Sequence, residues 1–160
     1  MSGTARRSAL LIVVTAALLA GCSKDNGNKA GPKGQNVATL DLQTGQCIEP
    51  PSKPTPEVET VQVFPCTEAH TEELFAIVPY NKTDAGTEYP GDKVLRDFAN
   101  GACLERYEDY VGAPYTDSSL FYTFLLPSPR SWSDRDDRDV MCFVTTTGEK
   151  LHASVKGSGR

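Results

Sequence analysis

Hydrophobic and polar positions change rhythm along the chain, and each rhythm predicts an element. Ala9 to Ala20 is an almost unbroken apolar run behind Arg6 and Arg7. A permanent membrane span takes about 20 apolar residues, so the run is too short and reads as a secretory leader. Residues 23–38 are polar, Gly-rich and aperiodic, which predicts a flexible tether with an end-to-end distance of about 20 Å. The folded part begins near Thr39, where Leu40 and Leu42 alternate with Thr39 and Asp41 ahead of a turn at Gly45. Residues 50–56, with Pro50, Pro51, Pro54 and Pro56, form an extended surface loop. Val58, Val61, Val63 and Phe64 predict a strand ending at Pro65-Cys66, and Glu73 to Val78 a second. Tyr80 to Pro90 reads as loop.

The strongest helical period runs from Lys93 to Val111. Leu95, Ala99, Cys103 and Tyr107 fall on one i, i+4 row, with Phe98, Ala102 and Tyr110 beside it and Arg96, Asn100 and Glu108 opposite. Asp92 is the expected N-cap, and Gly112 with Pro114 the stop. Gly101 inside this helix is expected to permit close packing. Leu120 to Leu126 is apolar on both faces, which predicts a central strand ended by Pro127 and Pro129. Val140 to Thr147 is a further strand with Cys142 in its middle, and Leu151 to Val155 a final short one. Strands interspersed with one long helix predict an α+β fold, an antiparallel sheet with one main helix packed on it.

The apolar leader ends in Leu19-Ala20-Gly21-Cys22, which resembles the lipobox of bacterial lipoproteins. The resemblance implies a signal peptide over 1–21 and acylation of Cys22, palmitate included. The lipidated N-terminus and tether are then 22–38, the domain 39–157 and a short tail 158–160. It also implies a location on the extracytoplasmic face of the cell membrane. The chain has 160 residues with 16 basic and 21 acidic side chains. Removing the leader leaves 14 basic against 21 acidic residues, a net charge of −7. That balance excludes nucleic acid as a partner and adhesion to anionic lipid by charge alone, because both need clustered Lys and Arg. Attachment to the membrane falls to the acyl group.

Outside the cytoplasm the four remaining cysteines, Cys47, Cys66, Cys103 and Cys142, are expected to form two disulfides. Four cysteines allow three pairings. Cys47–Cys66, closing a loop around the proline-rich segment, and Cys103–Cys142, tying helix to late strand, are favoured. A metal site is not expected: there is no Cys-x-x-Cys, and Cys66 with His70 leaves two ligands missing.

Candidate chemistry is sparse. His70, near Glu72, Glu73 and a predicted disulfide, is either an acid–base residue or a loop histidine whose hydrogen bond fixes a turn. His152 is assigned to the surface. Asp134 to Asp139 holds four aspartates, but its interleaved arginines oppose cation binding, so a solvated hairpin loop with internal ion pairs is expected. Trp132, Tyr115, Tyr122 and Phe121 either line an apolar groove or belong to the core. Asn81-Lys82-Thr83 fits a glycosylation acceptor without significance in a bacterial lipoprotein. Nucleophile elbows, zinc-protease motifs and phosphate loops are missing from the sequence, and no cofactor is expected.

The cysteine-centred segments resemble the septum-formation domain family of actinobacterial membrane-attached proteins. The resemblance rests on Gly45-Gln46-Cys47, Val63-Phe64-Pro65-Cys66 with His70, and Glu73-Leu74-Phe75. It continues through Tyr89-Pro90-Gly91, Cys103, Tyr110-Val111-Gly112, Pro127, Trp132 and Asp137-Arg138 to Cys142. A glycine is expected before Asp137-Arg138, where Asp136 stands. The family implies a link to division or envelope growth and supplies no catalytic residues.

The leading expectation is a lipid-anchored extracytoplasmic module that binds an envelope protein or wall component, with His70, Glu73 and Trp132 as candidate binding residues. One alternative is an enzyme acting on wall polymer through His70 with Glu72 or Glu73. Another is a small-ligand or metal-binding lipoprotein.

Overall fold

The computed structural model describes residues 34–53, 55–80 and 88–160. The leader, Cys22, nearly all of the tether and Asn81-Lys82-Thr83 lie outside them. Six strands carry the fold: β1 (Gln35–Ala38), β2 (Cys47–Glu49), β3 (Thr60–Phe64), β4 (Glu72–Pro79), β5 (Phe121–Leu125) and β6 (Asp139–Thr145). They form one antiparallel sheet in the order β1-β3-β2-β4-β6-β5. The main helix α1 (Asp92–Val111) packs on one face, and a short helix α2 (Pro129–Arg135) links β5 to β6.

Each face of the sheet has its own apolar set. Phe75 and Ala76 of β4 and Val140, Cys142 and Val144 of β6 meet Ala99, Cys103, Tyr107 and Tyr110 of α1. The register of β4 against β6 shifts between Leu74 and Ala76, so Phe75 and Ala76 both turn toward the helix. On the other face Ile48, Val61, Leu74, Met141 and Phe143 pack with Leu42 and Val58 from the connecting segments. Strands β4 and β6 are therefore covered on both sides, which accounts for their nearly continuous apolar runs.

Both expected disulfides are present, with Cα–Cα distances of 5.3 Å for Cys47–Cys66 and 5.5 Å for Cys103–Cys142. The first joins β2 to the end of β3; the second joins α1 to β6. Closing loops of this length stabilises a fold by about 3–4 kcal/mol each on the chain-entropy view. No helix among the described residues is long and apolar enough to cross a membrane.

Several local expectations are corrected. Residues 35–38, placed in the tether, pair with β3 through Val37 and Val61. The alternating residues ahead of Gly45 hold a single 3-10 turn, Thr39–Asp41. The apolar segment expected as a central strand is β5, at the sheet edge; its inner residues face α1 and Leu125 faces the opposite cluster. Asp92 is the first helical residue, while Gly91 at φ 93° caps α1 and Asp92 accepts a hydrogen bond from the Tyr89 hydroxyl. Leu151 forms an isolated bridge with His70 and no strand follows. The supposed tail is built in, since Gly159 N–H donates to the Val111 carbonyl at 2.9 Å and Ser118 Oγ to that of Arg160 at 2.6 Å.

Gly101 is exposed, and a Cβ built there meets nothing within 4 Å. Close packing does not explain it, so its backbone freedom is a plain cost to helix α1. Gly101→Ala should stabilise the domain by about 0.5–1 kcal/mol, read as a higher urea midpoint at unchanged slope.

Candidate functional site

Successive residues of a strand point to opposite faces, so Glu72 and Glu73 part company on β4. Glu73 faces α1 and is 0% exposed. Its Oε1 accepts from the Tyr110 hydroxyl at 2.5 Å and from Ser154 Oγ at 2.6 Å, and its Oε2 from the Val155 N–H at 2.7 Å. Burial, then the bond to Glu73, holds the Tyr110 hydroxyl well above the usual phenol range. Glu73 is thus the anchor of residues 151–160 and has no surface to offer a partner.

His70 is also 0% exposed. Its Nδ1 lies 2.7 Å from the Glu68 carbonyl oxygen, which makes Nδ1–H the donor. Its backbone N–H and carbonyl pair with Leu151 at 3.0 and 2.9 Å. Nε2 is enclosed, with no hydrogen-bond partner among the described residues. This is the turn-fixing histidine of the two readings; an enclosed ring has no path to a polymer. His152 is exposed. Near Glu73, one carboxyl oxygen and the sulfurs of Cys47 and Cys66 lie within 4.8 Å of one another. The sulfurs are bonded to each other and the carboxyl accepts three hydrogen bonds, so this trio lacks the thiolates that would make it a metal centre.

Trp132 is 2% exposed and packs edge-on against Tyr80 and Tyr89. The Arg138 guanidinium lies 3.8 Å over its ring centroid while Nη1 donates to the Trp132 carbonyl at 2.9 Å. Tyr115 and Tyr122 belong to a separate cluster with Tyr107, and Phe121, 43% exposed, pairs with Thr145 on the opposite face. The four aromatics do not share a groove. The acidic stretch is no hairpin loop either: it ends α2 and leads into β6. Asp136 stands at φ 53°, the left-handed position where the resemblance implies glycine, and pairs with Arg138 at 2.7 Å. Helix α2 itself is signalled by Ser128-Pro129, whose capping box closes between Ser128 and Ser131.

What the sheet leaves open is on the second face. Ile48, Val61, Leu125 and Phe143 from the strands, with Pro50, Pro51 and Val58 from the β2–β3 connection, bound a groove of about 160 Å³. Glu72 borders it, between Ile48 on β2 and Thr145 on β6. Burial, reinforced by the neighbouring Glu49, pushes the Glu72 carboxyl up to about 7. Glu49 itself is compensated, accepting from Lys150 Nζ at 2.5 and 2.6 Å and from Thr71 Oγ1 at 2.8 Å. Among the described residues, no hydrogen-bond or ion-pair partner meets the Glu72 carboxyl. The sequence placed Glu72 beside His70; the structure turns it into an apolar groove.

Fold and staples together define a disulfide-bonded α+β domain with a helix on one sheet face and a carboxyl-bearing groove on the other. Residues 44–160 match the family described as septum formation, and the chain belongs to that family. No curated protein and no solved structure matches it.

Two outcomes follow from the two glutamates. Tyr110→Phe removes a donor from a buried carboxyl and should cost about 1.5–3 kcal/mol, with faster hydrogen exchange at the Val155 N–H. Glu72 has the opposite leverage. Its folded pKa lies above its unfolded value of 4.5, so its contribution is fully present below that value and lost as pH rises toward 7. Glu72→Gln should therefore change stability little at pH 4 and raise it at pH 8, by at most about 3 kcal/mol. Urea unfolding at the two pH values measures the difference.

Proposed function

We propose that the chain is a lipid-anchored interaction module of the cell envelope, held on the extracytoplasmic face of the membrane and working in septum formation. Family membership supports the link to septum formation. The observation that carries the location is the combination of Cys22 at the end of a secretory leader with four later cysteines paired as two disulfides. Disulfides of this kind persist in oxidising compartments. A tether after the acylated residue would let the domain reach an envelope protein or a wall component while the lipid holds it at the bilayer.

Binding fits the site better than acid–base catalysis does. His70 and Glu73 are enclosed and committed to backbone and side-chain partners, and a general acid or base must come within hydrogen-bond reach of its substrate. Glu72 borders the groove, and it stands without a histidine partner among the described residues.

Feeding cells an alkyne-tagged palmitate should label the wild-type chain and not Cys22→Ser. The wild-type domain should fractionate with membranes and be cut by protease added to intact spheroplasts. An unlabelled wild-type chain, recovered from cytosol with its thiols free to alkylate, would falsify the anchor.

A further inference from the structure

The groove beside Glu72 combines features that a merely structural surface does not need. A half-buried carboxyl without a counter-charge is costly to keep on an apolar wall. Apart from Thr39 and Thr123 the lining around it is aliphatic and aromatic, contributed largely by rigid strands and by two prolines whose φ is fixed. At about 160 Å³ the space matches the roughly 150 Å³ that holds a benzene-sized group, and four methylenes fit within it. Glu49 at the end of β2 and Glu57 and Glu59 in the β2–β3 connection add carboxyls, and Arg130 and Lys150 are already paired to them. Each of those three has a cation beside it, Arg130 being shared by two; Glu72, which borders the apolar groove, has none among the described residues.

We propose that this groove takes a lysine side chain presented by a protein partner, its methylenes lying against Ile48, Val61, Leu125 and Phe143 and its ammonium paired with Glu72. The inference deepens the interaction-module reading and rests on it for the kind of partner. Charge complementarity carries it: an apolar stem with a cationic head satisfies both the lining and the carboxyl, and a wholly apolar side chain leaves Glu72 unmet. Lysine suits the site because its compact ammonium sits on a flexible four-carbon stem, so one side chain spans from the apolar lining to the carboxyl. Of the charged groups facing Glu72, Glu49 of β2 is compensated by Lys150, and on β6 the neighbour Thr145 is uncharged. Binding should therefore follow the ionisation of Glu72 and tighten between pH 6 and pH 8.

The test is a titration of the isotope-labelled full chain, disulfides intact, with acetyl-Gly-Lys-Gly-amide and its norleucine counterpart, followed by amide shifts. The lysine peptide should move the signals of Ile48, Glu72 and Phe143. The norleucine peptide should bind about tenfold more weakly, the scale of one charge-assisted hydrogen bond. Glu72→Gln should bring lysine down to the norleucine level and abolish the pH dependence. Equal binding of the two peptides, an unaffected Glu72→Gln variant or shifts confined to other surfaces would overturn the proposal. Hexylamine binding tenfold tighter than the lysine peptide would also overturn it, assigning the groove to a free amine. A soluble peptide needs no acyl anchor, so this titration and the Cys22 labelling fail separately.

Discussion

Turning a carboxyl away from water costs several kcal/mol, about the net stability of many small domains, unless donors meet its oxygens. Glu73 imposes that demand at the centre of this sheet. Its donors come from two places far apart in sequence: Tyr110 near the end of α1, and Ser154 and Val155 after β6. Meeting them fixes the seat of the helix on β4 and the path of the last ten residues at once. Backbone bonds then complete the arrangement, from Gly157 N–H to the Tyr110 carbonyl and from Gly159 N–H to that of Val111. Without the C-terminal segment the carboxyl would be left with one donor among these three.

The disulfides work on the same architecture from either side. Cys103–Cys142 sits within the apolar cluster between helix and sheet, and Cys47–Cys66 closes the sheet's other half beside the Glu73 carboxyl. Helix face and open face are consequently unequal. The first is locked by a covalent bond, a buried carboxyl and a tyrosine cluster. The second is covered by Leu42, Val58 and the proline-bearing connection, and there the groove lies. A domain with one sealed sheet face and a groove on the other suits binding, in that rigid strands hold the lining in place with little ordering cost.

Sequence reading reached the elements whose signal is local. The Leu95-Ala99-Cys103-Tyr107 row of α1 shows a 3.6-residue period, and β4 and β6 stand out as apolar runs. Strand β5 looked central because Tyr122 and Phe124 pack on one side and Leu125 on the other; its edge position follows from strand order, which no local pattern encodes. Strand β1 was hidden because Gln35, Asn36 and Ala38 are exposed and Val37 alone turns inward, so pairing with β3 makes it a strand. The candidate residues were partly legible. Alternation along β4 already requires Glu72 and Glu73 to face opposite ways. Which of them meets donors depends on residues some forty to eighty positions later. His70 and Trp132 carry polar atoms that suggested recognition, and tertiary packing turned both inward.

Trp132 is the sole tryptophan of the chain, and it sits where α2, the Tyr80 and Tyr89 rings and the Arg138 guanidinium converge. Intrinsic fluorescence excited at the indole band thus comes from one known place. The emission of this ring senses how helix α2 is seated and whether the cation still lies over it. The molecule carries its own optical gauge for that corner, with no dye attached and no residue replaced.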